Sequence, residues 1–274
     1  MGLASRLIEK LQTSAATLDA SLAERVSLHS VTLIGSLSRD DFNEGGSDVD
    51  LLFVHGLGER GSEVASLPDF RAVIQHFGEP LKRLGRTTGR PKPLVVDCHF
   101  GDRQTVSRQP DWADPAGFLR EYLSRDRYLW LYAFDFVENS FPLWGPDLRP
   151  ALRVWEPSAY LPVLARSLRE EVARLQAIPP GSEPPAGLVN DYQRLSGELS
   201  TLLSLKYGCR SLMKQAQHRS FNLLVPYFDG KDFAASLWAE YLYGSIFQDR
   251  ADWVRRCSRF CAGALNLLEQ QDGD

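Results

Sequence analysis

Cysteine is scarce in this chain, and no long apolar run occurs. The four cysteines stand at 98, 209, 257 and 261. Only Cys257 and Cys261 are near each other, four apart on an expected helix, without the spacing or histidine company of a zinc site. They read as free thiols in a reducing cytoplasm. The histidines, His29, His55, His76, His99 and His218, show no ligand spacing. No segment approaches the ~18 apolar residues of a membrane helix, so no membrane partner is expected. Residues 1–18 carry Glu9 and Gln12 and are not read as a secretory signal. A Gly-x-Ser-x-Gly nucleophile elbow and a Walker lysine are both missing. Positive charge is not in excess either. Lys and Arg number 31 against 35 Asp and Glu, a net charge of -4, which argues against a general nucleic-acid binder. The local group Lys82, Arg83, Arg86, Arg90 and Lys92 keeps a nucleic-acid acceptor open.

What is present is ordinary globular composition: 274 residues, 43% hydrophobic and 24% charged, enough for one large or two modest domains. Leu3, Leu7, Leu11, Ala15, Leu18 and Leu22 recur at helical spacing, so residues 2–24 are expected to be one amphipathic helix. VTLIG (31–35) and DVDLLFV (48–54) read as strands, Asp69 to Leu84 as a helix, and PLVVDCHF (93–100) as a third strand. Strands alternating with helices predict an α/β unit. Phe118 to Glu138 reads as helical, and FPLWGPDL (141–148) as a short extended element closed by a Gly-Pro turn. Beyond about 155 only helices are expected: Tyr160–Ile178, Leu188–Tyr207, Phe233–Phe247 and Asp252–Glu269. IPPGSEPPAG (178–187) separates the first two. The predicted division is an α/β domain at 1–150 and a helical domain at 151–274.

The chemistry concentrates in VTLIGSLSRDDFNEGGSDVDLLFV (31–54). Asp48 and Asp50, two apart at the head of a strand, point to one face, ~6.6 Å apart at ~3.3 Å per residue. Such a pair can share hard divalent cations, as metal-assisted phosphoryl chemistry requires. Gly35-Ser36, at the exit of the preceding strand, adds a bend where backbone can approach phosphate and a hydroxyl can bind it. Alone, Gly-Ser is an ordinary turn and Asp-x-Asp a solvated strand start; together they place a phosphate cradle beside a metal platform. Asp97 interrupts an apolar strand, with Val95 and His99 on its face and Leu94, Val96, Cys98 and Phe100 on the other. Buried unpaired it would cost several kcal/mol, a penalty that a metal or cationic partner removes.

Gly35-Ser36, Arg39 and Ser47-Asp48-Val49-Asp50-Leu51-Leu52 resemble the Gly-Ser…Asp-x-Asp signature of the DNA polymerase beta-like nucleotidyltransferase superfamily. Asp97 falls where that superfamily carries its third carboxylate. FPLWGPDL resembles the Leu-x-Gly-Pro element closing the catalytic domain of the antibiotic nucleotidyltransferases. GELSTLLSLKYGCRSLMKQA (197–216) is similar to a helix and following lysine of the streptomycin/spectinomycin adenylyltransferases. The chain departs from the pattern at Asp40, where a glycine is common, and at Asp97, where those enzymes carry a glutamate base. Gly187 and Asn190 stand where they carry a Trp and an Asp.

The resemblance implies a mixed-sheet α/β (α+β) catalytic domain followed by an all-α helical bundle that closes the cleft. It implies Mg²⁺ as cofactor, held by Asp48, Asp50 and Asp97, and ATP or another nucleoside triphosphate as donor. Gly35, Ser36, Arg39, Ser47 and either Lys206 or Lys214 would bind the triphosphate. The acceptor would be a small molecule, aminoglycoside-like by the resemblance; Asp191 and Glu198, seven apart on one helix side, could meet a cationic one, although a solvated helix face is the better explanation of that pair. The alternatives are a toxin-type or regulatory enzyme acting on RNA or protein, and a nucleotide-binding module without turnover. A cytoplasmic location is expected.

Overall fold

The computed structural model describes residues 2–39, 41–58, 61–90, 93–103, 133–151 and 250–269, together with 168–170, 172–174, 176–177, 195, 199, 202–203 and 206. The chain divides into two compact units, Met1–Trp112 with Glu121–Val154, and Ala113–Arg120 with Trp155–Asp274.

The first unit is an α/β domain. Its described elements are α1 (Leu3–Ala16), α2 (Ala20–Arg25), β1 (Leu28–Ile34), β2 (Val49–His55), α3 (Gly61–Val64), α4 (Pro68–Thr87), β3 (Val96–Asp102), α5 (Ala133–Asn139), β4 (Phe141–Trp144) and a 3₁₀ turn at Arg149–Ala151. The single helix expected over 2–24 is two helices. Thr17 folds its hydroxyl back onto the Thr13 carbonyl at 2.9 Å, and the Asp19 carboxylate caps α2 by accepting the Ser21 amide at 2.9 Å. Both side chains compete with continued helical bonding, and so the leucine periodicity is interrupted between them.

The four strands form one mixed sheet in the order β3-β2-β1-β4. β1 is antiparallel to β2 and to β4, whereas β2 and β3 are parallel. Strand alternation assigns the two faces. Val31 and Leu33 of β1 and Val49, Leu51 and Phe53 of β2 join the main core with Leu3, Leu7 and Leu11 of α1 and Phe70, Val73, Phe77 and Leu81 of α4. Phe53 anchors it, its ring centre 6.1 Å from Phe70, 6.0 Å from Phe77 and 6.0 Å from Phe100. Such aromatic pairs add ~0.5–1.5 kcal/mol each beyond burial. On the other face a smaller cluster gathers Ile34, Leu52, Val54, Phe136 and Leu148. Gly145 makes the turn out of β4 possible. Its φ is +77°, and a Cβ there would come within 3.0 Å of the Ser30 Cα.

In the second unit the described residues are helical, apart from a turn at Ala177. The 20-residue α6 (Arg250–Glu269) buries Phe260, Cys261, Ala264, Leu265 and Leu268, a single helical stripe. Arg169 forms an ion pair with Glu269, and Gln176 Nε2 donates to Ser258 Oγ at 3.2 Å. The expected helix over Phe233–Phe247, most of the helix over 118–138, and the loop at 178–187 lie outside the described residues. No helix among them is long and apolar enough to cross a membrane.

Candidate active site

The site forms where β1 ends and where β2 and β3 begin. Asp48 immediately precedes β2 and Asp50 is its second residue. The parallel register sets Asp50 opposite Asp97 of β3. Residues paired directly across two strands share a face, and Asp48 and Asp50, two apart, share it too. One oxygen from each of the three carboxylates lies within 4.8 Å of the others. They sit on the face opposite the main core, as the alternation in 93–100 predicts for Asp97. These three aspartates form a cluster able to hold a metal ion.

Like charges this close repel. The Asp97 carboxyl is pushed from 3.8 up to about 6, by partial burial first, then by a hydrogen bond to Asp48 and the charges of Asp48 and Asp50, while His99 pulls it back. A divalent cation is the chemistry that relieves such repulsion, and the all-oxygen donor set suits a hard one. His99, on the same face of β3, places Nε2 3.4 Å from Asp50 Oδ1.

Gly35 lies directly against this cluster. Its φ is +77°, a left-handed conformation that glycine adopts without strain. A Cβ at 35 would stand 2.9 Å from the Asp50 carboxyl carbon and closer still to Oδ2. Glycine is therefore required twice, for the bend and for the space that Asp50 fills. After it the chain makes one tight turn: the Gly35 carbonyl accepts the Arg39 amide at 3.3 Å and the Ser38 hydroxyl at 2.9 Å. The Ser36 hydroxyl is buried with no hydrogen-bond partner among the described residues, an omission worth ~1–3 kcal/mol. Ser30, Thr32 and Ser140 share that condition, so the orphan hydroxyl alone marks nothing; Ser36 stands apart by adjoining the residue that touches Asp50.

Arg39 and Ser47 have structural partners. Arg39 was expected at the triphosphate. It is only 10% exposed, and its Nη1 donates to Asp135 of α5 at 2.9 Å, with Asp41 3.6 Å from Nε. Asp135, 2% exposed, also accepts from the Asn139 amide group at 3.0 Å. The arginine thus ties the Gly35-Ser36 turn to α5. No periodicity could have shown this, because Arg39 and Asp135 are 96 residues apart. Ser47 Oγ accepts the Asn43 amide at 3.0 Å, folding the loop that leads into Asp48. The Ser47 carbonyl accepts Arg90 Nη2 at 2.7 Å. Arg90, a member of the local basic group that keeps a nucleic-acid acceptor open, is thus a neighbour of the site.

Of the remaining sequence candidates, only some fall among the described residues. Lys206 belongs to the second unit and donates from Nζ to the Leu267 carbonyl at 2.7 Å. Lys214, Asp191, Glu198, Gly187 and Asn190 are outside the described residues, as is Asp40. His76 meets the Ser14 carbonyl at 2.7 Å, and buried His55 accepts the Leu57 amide through Nδ1 at 3.2 Å; among the described residues neither joins a metal cluster. Cys98 is a free thiol, and burial pushes it up to about 11, far from a reactive thiolate.

In comparison with known proteins, the chain matches no family model and no curated protein.

Proposed function

We propose that this protein is a Mg²⁺-dependent nucleotidyltransferase that moves a nucleoside monophosphate, AMP from ATP, onto a hydroxyl of a small-molecule acceptor such as an aminoglycoside-like antibiotic. One observation carries the reading. Asp48, Asp50 and Asp97 converge on one face, with Asp50 packed over a glycine that admits no side chain. Asp48, Asp50 and Asp97 would hold the cation. When bound, it neutralises charge on the triphosphate and on the departing pyrophosphate.

The acceptor oxygen attacks the α-phosphorus in line. A new phosphorus–oxygen bond forms, the bond to the β-phosphate breaks, and pyrophosphate leaves with the electron pair. Asp97 is the best placed of the three to take the acceptor proton, being exposed where Asp48 and Asp50 are half-buried. The Ser36 hydroxyl offers its unmade bond to a phosphate oxygen, and Ser47 keeps Asp48 at the entrance of β2. Arg39 ties the Gly35-Ser36 turn to α5 through Asp135.

A second reading keeps the transfer but makes RNA or a protein the acceptor. Lys82, Arg83 and Arg86, all exposed on α4, favour it. Incubation with labelled ATP or GTP, Mg²⁺ and separate pools of aminoglycosides, RNA and protein decides between them. Pyrophosphate release that depends on a small acceptor is the expected result, and labelled RNA or protein establishes the second reading. Nucleotide binding without turnover on any acceptor overturns both. Asp50→Asn should abolish transfer while leaving the circular dichroism spectrum unchanged; wild-type turnover in that variant would exclude the metal role.

A further inference from the structure

The loop that brings Asp48 to the cluster is held by groups distant in sequence. Glu44 Oε1 accepts the Leu3 amide at the start of α1, at 2.8 Å. Within the loop, Asn43 and Ser47 exchange bonds: the Ser47 amide donates to the Asn43 carbonyl at 2.9 Å, and Ser47 Oγ accepts the Asn43 amide. The Asn43 side chain accepts the Gly45 amide at 2.9 Å. Past Asp48, the Val49 amide donates to the Val95 carbonyl at 3.0 Å, which starts the β2–β3 pairing.

Arg90, just beyond α4, bridges the two ends of this loop. Its Nη2 donates to the Ser47 carbonyl at 2.7 Å, one peptide before Asp48. Its guanidinium carbon lies 5.6 Å from the centre of the Phe42 ring. Partial burial lowers its pKa on balance, and the charges of Asp48 and Glu44 offset part of that cost. A lysine reproduces this poorly, because its single compact ammonium cannot face the Phe42 ring and reach the Ser47 carbonyl as a broad guanidinium fork does.

We propose that Arg90 is a positioning residue for the carboxylate cluster: by bridging Phe42 and the Ser47 carbonyl it holds Asp48 where a divalent cation needs it. The inference rests on the metal reading above. A loop already ordered need not be ordered by the cation, and the affinity gained is the ordering cost avoided. Coulomb's law acts the other way. A guanidinium beside Asp48 repels a dication, so removing the charge alone would tighten binding. The sign of the change therefore tells brace from charge.

The full chain is titrated with Mn²⁺, free ion being followed by electron paramagnetic resonance, as wild type, Arg90→Gln and Arg90→Lys. Amide hydrogen exchange at Gly46 and Ser47 is measured in the same proteins without metal. Arg90→Gln should weaken Mn²⁺ binding about tenfold and speed exchange at those two amides, with α4 and β1 unchanged. Arg90→Lys keeps the charge but not the bridge, and should also bind Mn²⁺ more weakly than wild type. Should Arg90→Gln fail to fold, Arg90→Lys carries the test alone. Wild-type or tighter affinity in a folded variant overturns the proposal, as does wild-type exchange at Gly46 and Ser47. Failure of the wild-type protein itself to bind Mn²⁺ overturns the metal reading, and the exchange data then show whether the brace exists without it.

Discussion

Replacing Asp97 by asparagine should make the metal-free protein more stable and the metal-loaded protein less so. The carboxyl titrates near 6 in the folded chain against a usual 3.8. In a dry site that displacement would amount to ~3 kcal/mol. Asp97 is exposed on the edge strand β3, and water screening brings the penalty to ~1 kcal/mol. The folded protein binds this proton more tightly than the unfolded chain. The charged carboxylate therefore costs stability above about pH 6, and the cost fades as pH falls through 6 towards 3.8. Asp48, Asp50 and His99 are the groups that face it. Thermal melts in chelator at pH 8 should show Asp97→Asn raised by ~2–4 °C over wild type, with the two converging near pH 4. With Mn²⁺ at a hundred times its dissociation constant, wild type should gain ~2.7 kcal/mol and the variant much less, which reverses the order. A variant less stable than wild type in chelator at pH 8, or a difference that ignores pH, refutes the account of repulsion among the three carboxylates.

Gly35→Ala forces a side chain into a left-handed backbone and against the Asp50 carboxylate. It should cost ~1–2 kcal/mol in strain and lower Mn²⁺ affinity more than tenfold; metal binding at wild-type strength would show that Asp50 is not held by this contact. Asp135→Asn leaves the buried Arg39 guanidinium short of its closest carboxylate, and urea unfolding should register a loss of ~3 kcal/mol. Lys206→Met removes the bond to the Leu267 carbonyl; urea unfolding should register a loss of ~1 kcal/mol, and wild-type stability would show that this bond contributes nothing net.

Much of the catalytic unit is legible in the chain itself. Alternation in 48–54 and 93–100 already puts Asp48 with Asp50, and Asp97 with His99, because side-chain direction along a strand is a local property with period two. The leucine and phenylalanine spacing of α1 and α4 likewise announces the faces that bury. The break at Thr17–Asp19 was present in the capping chemistry but hidden beneath an unbroken leucine period. Strand pairing is another matter. Asp50 meets Asp97 only because β2 and β3 run parallel in that register; a slip of two residues would keep every side chain on its face and separate the carboxylates by ~6.6 Å. Register, the Arg39–Asp135 pair and the Arg90 bridge are contacts between segments tens of residues apart. They are selected by how the whole core packs, and no pattern within a segment encodes them. The amino-acid order by itself determined which groups are available and which face each one takes; the tertiary structure alone decided which of them meet, because long-range pairing is a collective outcome of burial rather than a property of any one stretch.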